Sequence, residues 1–177
     1  NINNLNIFLK KILKYNPLWV EEILPKDDLH LFNNFNKTKL KFSYGENFNS
    51  YNDFINLLIF YKFDYINPDI SHLTISDFFK LYHFIKKNNL KQKIIIHCWG
   101  GSINLFTSLS IASNIKDVVK FVEFPITDFS LNKPFIENSD IKNSKFYFHE
   151  EIKNNSDLIS QKNFKPVNLK KLTFNFN

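Results

Sequence analysis

Ile94-Ile95-Ile96-His97 decides how the rest of the chain is read. Three β-branched residues in a row are apolar on every side and too short for a helix, as in a strand buried on both faces, and the run stops at an ionisable side chain. Working outward, four more apolar runs lead to an ionisable residue. Leu18-Trp19-Val20 leads to Glu21, Leu40 to Phe42 leads to Glu46, Tyr65-Ile66 leads to Asp69, and Phe121-Val122 leads to Glu123. The five ionisable residues are separated by 25, 23, 28 and 26 positions.

Helix-period spacing appears at Ile2, Leu5, Leu9, Ile12 and Leu13, at Phe54, Leu57, Leu58 and Tyr61, at Phe78, Phe79, Leu81, Tyr82 and Ile85, and at Ile103, Phe106, Leu109 and Ile111. Strands alternating with helices predict βαβ units and a parallel sheet. An open doubly wound sheet concentrates its site at one switch point. Strand ends that deliver a polar group at a near-constant period are the mark of a barrel, whose strands all aim at one site on the C-terminal face. The predicted fold class is therefore α/β: the C-terminal part, about five βα units, of a (β/α) barrel of the TIM type. Five strands cannot close an eight-stranded barrel, so about three βα units are expected upstream of Asn1. The chain carries no Met, which fits a fragment.

With 177 residues, 44% hydrophobic and 23% charged, the composition is that of a globular protein. No apolar run approaches the ~18–20 residues that span a bilayer. The net charge of +6 comes entirely from 23 Lys against 17 acids, with no Arg, while 26 residues are Asn and 21 are Phe. A composition biased this way is weak evidence for nucleic-acid binding, which leans on Arg forks. The single Cys98 can form no intrachain disulfide, and the opening residues have no secretory pattern, so the expected location is cytoplasmic.

Only Gly45, Gly100 and Gly101 are present, against about 12 at ~7% usage. Gly45 precedes Glu46 and the pair follows His97, so the survivors crowd the proposed site. The pattern decays after about Phe135. The expected organisation is a partial barrel over 1–135 and a loop-rich tail over 136–177, with short apolar pieces at 145–148 and 172–174, packed against a part of the protein absent from this chain.

Glu21 and Glu46 at adjacent strand ends make a hard oxygen site suited to Mg²⁺, with a third carboxylate expected from the strand before Asn1. Asp69 and His97 come from neighbouring strands, where the carboxylate can fix one ring nitrogen and leave the other as a base. Glu123 can donate or stabilise charge if burial keeps it protonated. A metal, a base dyad and an acid together suit removal of a proton beside a carboxylate. Singly, each residue also fits a plainer role: Asp69 after Pro68 starts a turn, and His97 fits a core histidine. Cys98 points to the face opposite His97 and is read as structural, and His30, His72, His83 and His149 as surface residues.

The stretches Trp19-Val20-Glu21-Glu22, Gly45-Glu46-Asn47, Asn67-Pro68-Asp69, Ile96-His97 with Trp99-Gly100, and Val122-Glu123-Phe124 resemble, in order and spacing, the enolase superfamily, and its mandelate racemase subgroup best. The resemblance covers roughly 5–130. It implies Glu21 and Glu46 as two of three Mg²⁺ ligands, His97 and Asp69 as the base dyad and Glu123 as an electrophilic or positioning residue. It also implies a small carboxylate substrate, a hydroxy acid or sugar acid, processed by a dehydratase or racemase that is a homo-oligomer at full length. The muconate-lactonizing subgroup uses lysine bases, which these strand ends lack. The family's first metal-ligand Asp, its Lys-x-Lys pair and its capping domain would precede Asn1.

Departures are Ser71-His72-Leu73-Thr74 where relatives carry Gly-Gly, Ile23 where Pro usually follows the paired acids, and a tail without the Gly-rich closing segment. The alternative reading is a non-catalytic, degenerate barrel remnant acting as a binding or structural module. On either reading the isolated chain is expected to be inactive.

Overall fold

Five short strands form one parallel sheet in the order β1-β2-β3-β4-β5, each beside its sequence neighbour. They are β1 Val20–Glu21, β2 Phe42–Tyr44, β3 Tyr65–Ile66, β4 Lys93–Ile96 and β5 Val119–Val122. Strictly sequential parallel order has no switch point, and it is the order of a (β/α) barrel wall. The computed structural model describes residues 2–35, 38–99, 101–124, 139–142 and 145–148, in two compact units, 1–128 and 129–177.

In the first unit α1, Ile2–Ile12, precedes the sheet, and α2 (Tyr51–Asn56), α3 (Ile75–Lys87) and α4 (Ser102–Asn114) follow β2, β3 and β4. Local chemistry fixes their starts: the Ser50 and Thr74 hydroxyls accept the Asp53 and Asp77 amides at 3.2 and 3.1 Å, capping α2 and α3. α2 runs on as a π turn, Leu57–Tyr61, and ends at Lys62 in the left-handed region (φ 55). Between β1 and β2, where the sequence shows no helix-period spacing, Lys26–Asn34 forms a 3-10 helix. Its buried residues explain this: Leu29, Phe32 and then Phe35 recur every third position, where 3-10 geometry stacks side chains in line.

Two strands start later than the sequence predicts. β1 begins at Val20, with Leu18 71% exposed, so Glu21 lies inside the strand; β2 begins at Phe42. Alternate strand residues then part cleanly. Phe42, Tyr44, Ile66, Ile94, Ile96 and Val119 join the core with Phe54, Leu57, Phe78, Leu81 and Ile85 of the helices, and Val20 and Val122 pack against it. Trp19, Glu21, Ser43, Tyr65, Asn67, Ile95, His97 and Phe121 occupy the other face, as the registers Glu21↔Ser43, Ser43↔Tyr65 and Ile95↔Phe121 require.

That second face is deeply concave. Laid flat, β1 and β5 would stand about 19 Å apart across four spacings of ~4.8 Å. Yet the Trp19 and Phe121 rings, beside β1 and in β5, stack at 5.1 Å, and Trp19 also meets Tyr65 at 5.7 Å. The sheet is an arc of a barrel.

The second unit contains an antiparallel hairpin of β6 (Ser139–Lys142) and β7 (Lys145–Phe148), with Ser139 opposite Phe148. The apolar piece at 172–174, His149, the boundary at 135 and most of the 136–177 tail lie outside the described residues. Among the described residues no helix is long and apolar enough to cross a membrane.

Candidate active site

His97 is the first residue past β4 and keeps the sheet's register, forming a parallel bridge with Asp69 beyond β3. Its amide donates to the Pro68 carbonyl at 3.1 Å. The ring is thereby delivered to the concave face, where Nδ1 donates to Asp69 Oδ2 at 2.7 Å. Nε2 faces two more carboxylates, Glu46 Oε2 at 3.6 Å and Glu123 Oε2 at 3.7 Å. Both lie beyond a normal hydrogen bond, so Nε2 stands between them without being consumed by either.

Asp69 is buried to 1% exposure and fully engaged. Its Oδ1 accepts from the Ser71 amide at 2.7 Å, the Ser71 hydroxyl at 2.6 Å and Asn104 Nδ2 at 3.1 Å, so only Oδ2 is left for His97. Burial alone would favour the acid form. The bonds from His97, Ser71 and Asn104 outweigh it and hold the carboxyl well below its usual range. The same Asp69 bond pushes the His97 pKa above 6.5 against the pull of burial, with Glu123 and Glu46 adding to the rise. Glu123 is raised chiefly by burial, opposed by His97 and reinforced by Glu21 and Glu46.

Glu123 reaches this face through an irregularity. Ile94 pairs with Val119, but Ile95 pairs with Phe121, so β5 carries one extra residue, Lys120. Without that bulge Phe121 and Glu123 would share the helix-facing side with Val119; one inserted residue turns them inward.

Glu21 accepts from the Trp19 indole N–H and from Asn67 Nδ2 at 3.2 Å. Glu46 follows a turn that demands glycine: Gly45 has φ +125°, and a Cβ there would sit 2.6 Å from Phe54 Cε1. The Gly45 and Glu46 amides donate to Glu22 Oε1 at 2.7 and 3.4 Å, and His72 Nδ1 donates to the Glu46 carbonyl at 3.0 Å. Glu22 itself is raised by burial, partly offset by the Gly45 amide.

The structure thus gathers Glu46, Asp69 and Glu123 around the His97 ring, with Glu21 close enough to act electrostatically on Glu123. The orphaned atoms test whether this face suits a cation. Buried side-chain atoms without a hydrogen-bond partner among the described residues are Ser43 Oγ, Asn67 Oδ1 and Glu123 Oε1, all oxygens and all on the concave side. With the Glu21 and Glu46 carboxylates they form a hard-oxygen environment that fits a divalent ion and its waters. Among the described residues, no three His, Cys, Asp or Glu side chains are already arranged as a ligand set.

Cys98 lies behind this face, 1% exposed, its thiol pushed up to about 12 by burial and the Asp69 charge. Sequence reasoning gave no site role to Asn67, Ser71, Asn104 or Glu22, and read His72 as a surface residue; it is exposed, and its ring also holds the Glu46 carbonyl. Asn67 carried a usable signal, standing two residues before Asp69 and so on the same face. Ser71 and Asn104 carried none, since their bonds to Asp69 depend on how a loop and α4 meet.

A family model described as enolase C-terminal domain-like matches residues 7–151. Solved structures share the fold. An enolase from the environmental genome shotgun sequencing of the Sargasso Sea is 24% identical with a TM-score of 0.71, covering 84% of this chain and 40% of its own. The 3,6-anhydro-D-galactonate cycloisomerase from Zobellia galactanivorans is 20% identical with a TM-score of 0.67, over 79% and 40%. A mandelate racemase/muconate lactonizing enzyme from Sulfitobacter sp. is 19% identical with a TM-score of 0.66, over 77% and 34%. The chain therefore spans 34% to 40% of the length of these relatives. No curated protein matches it. Sequential parallel strands, a concave polar face and a family match over most of the chain agree: the protein belongs to the enolase superfamily and represents its C-terminal-domain-like barrel segment.

Proposed function

We propose that the full-length protein removes the proton beside the carboxylate of a small hydroxy acid or sugar acid, with His97 as base, and acts as a dehydratase or racemase. The supporting observation is the His97–Asp69 pair. With Nδ1 committed to Asp69 at 2.7 Å, Nε2 is the nitrogen left to take a proton, and it faces the concave side. Asp69 stays ionised and favours the imidazolium that forms, which raises the basicity of the ring. Glu123, whose acid form burial favours, can donate a hydrogen bond to the substrate or hold its leaving hydroxyl.

Glu21 and Glu46 would hold Mg²⁺, with a further ligand from outside this chain, and the ion would stabilise negative charge on the substrate carboxylate. Trp19 and Asn67 orient Glu21 for that task. Loss of a β-hydroxyl after proton removal gives a dehydratase; return of the proton to the opposite side gives a racemase. On this reading the tail over 136–177 packs on the capping region of the full-length protein, which works in the cytoplasm, and the isolated chain turns nothing over.

The test is a set of hydroxy and sugar acids incubated with full-length protein and Mg²⁺ in deuterated water. The expected result is deuterium at the carbon beside the carboxylate for one acid, and loss of that exchange from one side in His97→Asn. Exchange that survives the substitution on both sides would rule out His97 as the base.

A further inference from the structure

We propose that Glu22 is a positioning residue that aims the Glu46 carboxylate into the site by gripping the backbone at its root; this rests on the reading of Glu46 as a metal ligand. Glu22 lies one residue past β1 with φ 47, a left-handed conformation that residues other than glycine, asparagine and aspartate rarely adopt. Its neighbour Glu21 faces the concave side, whereas Glu22 reaches across to the end of β2. There its Oε1 accepts the Gly45 and Glu46 amides at 2.7 and 3.4 Å.

The turn it grips is closed by the Phe48 amide on the Gly45 carbonyl at 3.0 Å, and Asn47 Nδ2 donates to Glu46 Oε1 at 3.3 Å, but neither bond holds the Gly45 and Glu46 amides. Gly45 has no side chain, and its φ of +125° is open to glycine alone among ordinary residues. From the other side, His72 Nδ1 donates to the Glu46 carbonyl at 3.0 Å. Both backbone polar groups of Glu46 are therefore taken by side chains from the loops that follow β1 and β3. What Glu22 contributes is an acceptor oxygen at a fixed reach, and its charge is secondary. A carboxylate serving instead by its charge would tolerate shortening and fail on neutralisation.

Two substitutions in the full-length protein separate these roles, with Mn²⁺ as the probe and its paramagnetic resonance signal as the measure of free ion. Glu22→Gln keeps the acceptor oxygen and loses the charge, and Mn²⁺ affinity should stay within about threefold of the parent. Glu22→Asp keeps the charge but falls one methylene short, and affinity should drop about tenfold, the lower end for a residue supporting a metal ligand. The opposite ranking, or an Asp variant that binds like the parent, overturns the proposal.

Hydrogen exchange of the Gly45 amide, measured without metal, gives a second reading. Protection should fall in Glu22→Asp and hold in Glu22→Gln, and unchanged protection in Glu22→Asp also overturns the proposal. Glu46→Gln distinguishes the two levels of inference. If it leaves Mn²⁺ affinity intact while Gly45 protection still follows the predicted order, the metal reading of Glu46 fails and the grip of Glu22 stands.

Discussion

The two faces of one sheet, built from alternate residues of the same strands, differ in nearly every physical respect. The helix-facing side carries Phe42, Tyr44, Ile66, Ile94 and Ile96 in a closed apolar core. The concave side carries Glu21, Ser43, Asn67, Asp69 and His97, and it holds the three buried oxygens that lack a partner among the described residues. Leaving a buried polar atom unpaired costs about 1–3 kcal/mol. The fold therefore draws most of its apolar burial from one face, while the other, despite buried Ile95 and the Trp19–Phe121 stack, accepts a loss at its polar groups, as expected where preorganised polar groups serve chemistry.

Ile96 and His97 are adjacent in sequence and belong to opposite faces, so they break the comparison most directly. Ile96 is fully buried, and Ile96→Ala should cost about 2–5 kcal/mol through lost contact and the cavity left behind. Urea unfolding of the full-length protein measures it. His97→Asn, in the same experiment, should cost clearly less. Equal losses at the two positions would mean that the concave face is also a stability core.

A smaller effect, dependent on pH, is expected at the dyad. The His97 pKa lies above 6.5 in the folded protein, so its contribution to stability is complete below 6.5 and is lost as pH rises through the folded value. The Asp69 pKa lies below 3.8, so its contribution is complete above 3.8 and is lost as pH falls through the folded value. Both groups contribute fully between those limits. Asp69→Asn should therefore destabilise more at about pH 5.5 than at about pH 8.5, as read from paired urea melts of the metal-free protein. Equal destabilisation at the two pH values would show that the pair carries no charge coupling.

The division between faces also explains what the sequence could reveal. The Ile94-Ile95-Ile96 run and the spacing of Glu21, Glu46, Asp69, His97 and Glu123 showed a parallel barrel with polar strand ends, because apolar burial and chain period are local properties. The Lys26–Asn34 3-10 helix was missed because its apolar period is three and not 3.6. Glu123 was placed at the right strand end, but the bulge at Lys120 that turns it inward leaves no mark in composition or period. Glu22 and His72 grip Glu46 from 24 and 26 residues away, and contacts at that separation exist only once the strands are in register.

The smallest predicted effect tests the concave face at its least obvious position. Ser43 is 1% exposed in the middle of β2, between Phe42 and Tyr44, and its hydroxyl has no partner among the described residues. If this oxygen served stability, removing it would cost about what a lost hydrogen bond costs, 0.5–1.5 kcal/mol. Because it is already unpaired, Ser43→Ala should instead be neutral or stabilising by up to about 1 kcal/mol, since the change deletes a desolvated polar atom and little volume. Thermal unfolding with and without added Mg²⁺ reads both halves of the prediction. A gain in the metal-free protein that shrinks when Mg²⁺ is present would mean that the oxygen faces the ion's hydration shell. A loss above 1 kcal/mol without metal would mean that the concave face is packed for stability, which removes the contrast between the two sides of the sheet.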